Sequence, residues 1–374
     1  MKKRSLIVLM LTLLVGCAPP KQIETLGIVS SYGADLLHED KALDNTFLYK
    51  QFDPDIPEAI QAVESQANTY EGALDTANLK TNYKLVTGQI RVKVFGKELA
   101  ETGIMRVLSP HFKNAEEPAS LYLLVSETTA REVLTIDTSI DLSKYLYNLI
   151  DNNQKREILP ESDFFDFVHK YEDIGIDPIQ PLVTIEKQKP VIESIALFQN
   201  DVYVDSLSPK QTFLVKLMTE SFKAGKQEMS LSKQPFEEFI EEDEDKHKDE
   251  EFHFVLSEIR SKSKILLNDK KNLSYDVNIS LDARLMELSV PLLIKDEKVL
   301  KKLEKQIEDN FKEQLQEVMD KTKELNVDPM GFGTTYNQET RNNELTEEKW
   351  REMYPNIDVN FNIDVNIIRH GIFD

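Results

Sequence analysis

The stretch DVNFNIDVNI, residues 358–367, alternates polar and apolar side chains without a break. Val359, Phe361, Ile363, Val365 and Ile367 fall on one face, against Asn360, Asn362, Asp364 and Asn366 on the other. A period of two over such a length predicts a strand with one buried and one wet face, as in an antiparallel sheet. The buried face needs a cover. From about Glu297 to Leu325, the residues Leu300, Leu303, Ile307, Phe311, Leu315, Val318, Thr322 and Leu325 recur at steps of three and four. That stripe predicts a long amphipathic helix, and packing on the chain's own sheet is preferred to docking a partner helix. HFVLSEIRSKSKILL and LSYDVNISLDARLMEL predict two long strands before it; in the second, Tyr275, Val277, Ile279 and Leu281 share a face.

The first half reads differently. Strands are predicted at Leu26–Ser31, Thr46–Phe52 and Leu121–Val125, with a half-buried strand in QIRVKVF, where Ile90, Val92 and Val94 oppose Arg91 and Lys93. Helices are predicted at Glu71–Tyr83, from Lys97 to about Leu108, and from near Thr128. Strands alternating with helices suggest a mixed sheet with helices packed on it. Residues 140–175 carry two short helical patterns, and Pro178, Pro181 and Pro190 then mark a boundary near residue 185. Beyond it, VIESIALF and DVYVDSL, joined by Gln199-Asn200, predict a hairpin; Pro209–Phe222 predicts a helix and QEMSLS a strand. Residues 237–251 hold ten acids, but without the glycine and ligand spacing of a calcium loop they read as a solvated loop. The expected fold class is α+β, multidomain, with mixed and antiparallel sheets and packed helices.

Cys17 is the sole cysteine. Ahead of it stand Lys2, Lys3 and Arg4, then apolar or small residues from Ser5 to Gly16, ending Leu14-Val15-Gly16. A basic start and a short apolar run make a secretory signal, too short to span a bilayer. The residues before Cys17 form a bacterial lipobox. Cleavage there, with S-diacylglycerol on the thiol and an N-acyl group, gives an anchor of two or three chains, enough for durable membrane attachment. The expected division is 1–16 signal peptide, 17–22 lipidated tether, 23–185 an N-terminal mixed α/β region and 186–374 a C-terminal region, for which 237–251 marks a point of subdivision.

Loss of residues 1–16 removes three positive charges and moves the formal charge from −21 to −24. So acidic a chain argues against nucleic acid, whose phosphates require basic surface. It also opposes passive adsorption to anionic lipid, so a membrane-embedded partner is expected. The chemistry of catalysis is absent from the pattern. His38, His111, His169, His247, His253 and His370 are scattered, and none makes His-Glu-x-x-His; no Gly-x-Ser-x-Gly elbow or phosphate-binding glycine loop occurs. The glycines of Gly331 to Gly333 suit helix termination and a sharp turn better than a ligand loop. No catalytic, cofactor-binding or metal-binding residue is assigned; Cys17 is the one functional residue expected, as lipidation site.

Several stretches together resemble the Ger(x)C family, the lipoprotein C subunits of nutrient germination receptors in spore-forming Firmicutes. They are the lipobox at Cys17, LGIVSSYGAD at 26–35, GQIRVKVFGKELAETGI at 88–104 and IALFQNDVYVDSLS at 195–208. VDPMGFG at 327–333 and the tail WREMYPNIDVNFNIDVNIIRHG at 350–371 complete the set. Ala18-Pro19 departs from the Trp-Asp that often follows the family's cysteine, and the acidic run looks like an enlarged loop. The resemblance implies a non-enzymatic subunit held by its lipid on the outer face of the spore inner membrane. It implies partnership with membrane-embedded A and B subunits, and it leaves direct nutrient binding open. The competing readings are a solute-binding lipoprotein of a transporter and a surface hydrolase.

Overall fold

A computed structural model describes residues 23–37, 42–52, 60–109, 121–137, 140–240, 250–340 and 345–370. Cys17, His38, His111, His247 and most of the acidic run lie outside the described residues.

Among the described residues, thirteen strands build two sheets. The first contains β1 (Leu26–Leu36), β2 (Leu43–Gln51), β3 (Ile60–Ala67), β4 (Lys84–Val86), β5 (Val92–Gly96), β6 (Tyr122–Ser126), β7 (Ile179–Glu186), β8 (Lys189–Gln199) and β9 (Val202–Leu207). Their order is β3-β2-β1-β5-β6-β7-β8-β9, with β4 also on β1. The β1-β5-β6-β7 centre is parallel and both flanks are antiparallel. Parallel strands need cover on both faces, and every residue of β5 and β6 is buried. The helices Tyr70–Asn78 and Phe164–Glu172 pack on one side, while Ala130–Leu134, Leu142–Lys155 and Pro209–Thr219 pack on the other.

This double cover corrects the expectation of a half-buried strand at 89–95. Arg91 is exposed, over the Tyr147 ring, but Lys93 is fully buried with its ammonium 5.3 Å from the centre of the Tyr70 ring. The helix expected over 97–108 is two short ones, Lys97–Ala100 and Met105–Leu108, divided at Gly103 with φ of +97°. The helix expected to reach Tyr83 ends at Asn78, and the chain then turns into β4. Strands β3 and β7 had no counterpart in the sequence reading. β7 and β8 are both paired on two sides, but Pro181 and Pro190 each have a registered partner on one side only, Ile195 and Ile185, so each stands where one side of the ladder asks nothing of its missing N–H. The first sheet therefore continues past residue 185 through β8 and β9.

The second sheet has the order β10-β11-β12-β13, from β10 (Gly225–Ser232), β11 (Glu251–Asp269), β12 (Ser274–Leu288) and β13 (Asp358–His370). The alternation in β13 places Phe361, Val365 and Ile367 in the core and Asn360, Asn362 and Asn366 in water. Its pairing differs from expectation: β13 runs parallel to β12, with Val277 opposite Phe361. Parallel pairing needs a crossover of a dozen or more residues, and the helix Glu297–Glu324 lies in that connection. It covers the sheet's inner face with Leu303, Ile307, Phe311 and Leu315, leaving the outer face to water. On the wet face, Asn360, Asn362 and Asn366 donate to Asp276, Asn278 and Asp282 at 3.1, 3.0 and 2.9 Å. The same helix protects the sheet margin, because Glu308 and Glu304 accept the N–H groups of Val365 and Ile367 at 3.2 and 2.8 Å.

Candidate functional site

The conspicuous chemistry of the described residues is two buried polar junctions, both built where the ends of strands and helices meet. At the first, Asp35 ends β1 beside the start of the helix Ala130–Leu134. Its two carboxylate oxygens accept the N–H groups of Ala130 and Arg131 at 2.7 and 2.9 Å. A Cβ on Gly96 would stand 2.1 Å from Asp35 Oδ1, so the close approach requires glycine there. Burial pushes the Asp35 carboxyl up to about 6, against the pull of the two backbone donors.

At the second, Arg351 makes a bidentate contact with Asp177, Nη1 to Oδ2 at 2.6 Å and Nη2 to Oδ1 at 2.5 Å. Asp177 is 1% exposed. Its Oδ2 also accepts the N–H of Asp328 at 2.7 Å, and its Oδ1 that of Asn200 at 3.0 Å. Arg351 further donates to the Asn326 carbonyl at 2.8 Å and to Asn200 Oδ1 at 3.1 Å. Asn326 has φ of +53° just past the long helix, the left-handed exit that asparagine tolerates.

Asp328 closes the glycine turn: Oδ1 accepts Gly331 N–H and Oδ2 accepts Gly333 N–H, each at 2.9 Å. The turn then meets the segment before β7, where Thr334 N–H donates to the Gly175 carbonyl at 3.0 Å. Trp350, fully buried, packs over this turn between Tyr336 and Tyr354. The glycines thus make a structural turn around an aspartate, as the sequence reading preferred.

The hairpin turn between β8 and β9 links the halves. Asn200 enters the Arg351 junction, while Asp201 accepts Met105 N–H at 2.9 Å and lies where a Cβ on Gly103 would fall. Both carboxylate oxygens of Asp177 and both Nη atoms of Arg351 are engaged. So engaged, the pair joins segments that are distant in sequence. Asp177 carried no sequence signal of its own, since one Asp among 66 acids names no partner, and Arg351 stood out only as part of the stretch 350–371.

Burial also dominates at Asp328, raising its carboxyl to about 7 against the backbone donors, with Asp177 adding to the rise. A carboxyl raised in the fold contributes stability that is complete below its unfolded value near 4 and lost as pH rises through the folded value. The thermal midpoint is therefore expected to climb as pH falls from 8 to 5, first through Asp328 and then Asp35. Asp328→Asn should flatten the upper part of that window. A wild-type midpoint that falls steadily from pH 8 to 5 would contradict the assignment.

His169 is exposed, 3.2 Å from Asp173, and His253 is exposed. No cluster of three His, Cys, Asp or Glu able to hold a metal occurs among the described residues.

The segments that form these junctions span two matched family regions. Residues 19–185 match the spore germination protein N-terminal domain, and residues 193–371 match the spore germination B3/GerAC-like C-terminal domain. The chain belongs to the GerAC-like spore germination family. It is 22% identical to the Bacillus cereus spore germination protein GerQC over 375 residues, covering 100% of this chain and 99% of that protein. Its fold is similar to the crystal structure of the GerBC protein, with a TM-score of 0.51 and 16% identity over 93% of this chain and 100% of the other. The GerAC-like motifs at 26–35 and 88–104 meet at Asp35 and Gly96, and those at 195–208, 327–333 and 350–371 meet around Asp177.

Proposed function

We propose that the protein is the lipid-anchored C subunit of a nutrient-responsive spore germination receptor, needed for receptor assembly or signalling. The observation that carries this reading is the paired family match, which starts at residue 19, two positions after Cys17, and extends to residue 371. In this reading residues 1–16 are a cleaved signal, 17–22 a tether, and 23–185 and 186–374 two regions that share the nine-stranded sheet. Cys17 carries S-diacylglycerol and an N-acyl group, which hold the chain on the outer face of the spore inner membrane beside membrane-embedded A and B subunits. Among the described residues no helix is long and apolar enough to cross a membrane, which is consistent with attachment by lipid. A solute-binding lipoprotein would need two similar doubly wound lobes, whereas the two sheets here are unequal in size and topology.

Cys17→Ala is expected to move the protein from the membrane to the soluble fraction, leave its thermal midpoint unchanged and weaken the nutrient response. Full germination through this receptor with an unlipidated protein retained in the spore would remove the anchor's role. A tagged pull-down from detergent-solubilised spore membranes tests the partners. Two polytopic proteins of receptor type are expected, and an ABC permease in their place would overturn the reading.

A further inference from the structure

We propose that the turn Leu79–Lys84 rests on the anionic headgroups of the bilayer that holds the anchor, with Leu79 inserted among them. This rests on the lipid-anchor reading and adds an orientation and a lipid contact to it. Three observations converge. The first is reach: Ile23 is six residue steps from Cys17, with five residues between them, and at ~3.6 Å per extended step they hold Ile23 within roughly 20 Å of the membrane surface.

The second is placement. In the parallel β1–β4 pair, Leu26 stands opposite Lys84, and in the antiparallel β1–β2 pair Gly27 stands opposite Gln51. The chain entry at Ile23, the turn before β4 and the end of β2 therefore share one end of the first sheet. The third is chemistry at that end. Leu79, at the C-cap of the helix Tyr70–Asn78, is 88% exposed, and Ile23 and Phe52 are 50% and 36% exposed. Lys80 and Lys84 are exposed beside them, and Lys80 uses one ammonium proton on the Glu64 carbonyl at 2.8 Å.

From Thr76 to Lys97 there is no acid at all, in a chain with 66. The strongly negative net charge opposes general adsorption to anionic lipid. The turn itself carries two lysines and no acid, although Glu24 and Asp53 adjoin Ile23 and Phe52, so the relief from repulsion is confined to the turn, within the screening distance of about 10 Å. Apolar insertion with lysines at the phosphates is the pattern of an interfacial contact, and the sheet would then stand with its β1 entry end toward the bilayer.

The test uses the full lipidated chain carrying Leu79→Cys. With Cys17 acylated, the new thiol is the only free one, and it takes a polarity-sensitive fluorophore. A second protein carries Lys189→Cys, at the opposite end of the same sheet, about twelve strand residues or ~40 Å away. Both are reconstituted into vesicles of phosphatidylcholine with phosphatidylglycerol and headgroup-region nitroxide lipid, and flotation is scored in parallel. The expected result is flotation of both proteins, strong quenching at position 79, none at 189, and loss of quenching when Lys80→Glu and Lys84→Glu are added. Flotation without quenching at 79 overturns the contact while leaving the anchor intact, as does quenching that appears only when membrane subunits are present. Quenching unchanged by the lysine substitutions or by omitting phosphatidylglycerol overturns the headgroup part. Failure to float shows instead that the anchor reading has failed, and the contact falls with it.

Discussion

Arg351→Ala is expected to destabilise the protein by about 3–5 kcal/mol, the range for removing one member of a buried ion pair. The loss comes from what remains. Asp177 would be left at 1% exposure without its guanidinium partner, with only the N–H groups of Asp328 and Asn200 donating to it. The Asn326 carbonyl would also lose a donor. The comparison that gives the number meaning is Lys305→Ala, which breaks a contact with Asp309 at 3.0 Å between side chains 64% and 53% exposed. Exposed pairs of that kind are screened by solvent and contribute little. Urea midpoints of the two variants should therefore separate widely. If Arg351→Ala moves the midpoint no further than Lys305→Ala, the junction is not what holds the GerAC-like halves together.

Gly175→Ala and Gly333→Ala are expected to be comparably damaging, for steric reasons. A Cβ at residue 333 would lie 2.4 Å from the Gly175 Cα and 2.5 Å from the Trp350 ring. A Cβ at residue 175 would lie 2.4 Å from the Gly333 carbonyl carbon, at φ of +88°. The obstacles are backbone and a fully buried indole, neither of which can swing aside. Overpacking costs about 1–3 kcal/mol. The left-handed backbone adds about 1–2 kcal/mol for a residue with a Cβ, so Gly175→Ala should be the worse of the two. The chain has a single tryptophan, Trp350, so its fluorescence reads this point directly. A red-shifted native spectrum together with a lowered thermal midpoint is expected. An unchanged spectrum and midpoint in either variant would show that the turn can open without cost.

The long elements were legible because their information is local. The stripe of the helix Glu297–Glu324 and the alternation of β12 and β13 each state which face is buried, and the structure buries those faces. The hairpin at Gln199-Asn200 was legible for a similar reason, since its turn residues lie between two apolar runs. Alternation says nothing about strand direction. The parallel pairing of β12 with β13 follows from the helical crossover between them, a property of the connection and not of the strand.

Lys93 marks a different limit. Its period-two position predicted a wet face, and only the helices packed on the far side of β5 put it under Tyr70 instead. The prolines near residue 181 leave β7 and β8 intact, because a proline's missing N–H matters only where a neighbour would have used it, and pairing decides that. The motif residues Gly96, Asp328, Gly331 and Trp350 could be picked out in the chain, but not what they do. Asp177 meets Arg351 across 174 positions. A contact between two groups so far apart, each ordinary in its own segment, exists only after the sheets and the long helix have brought their ends together.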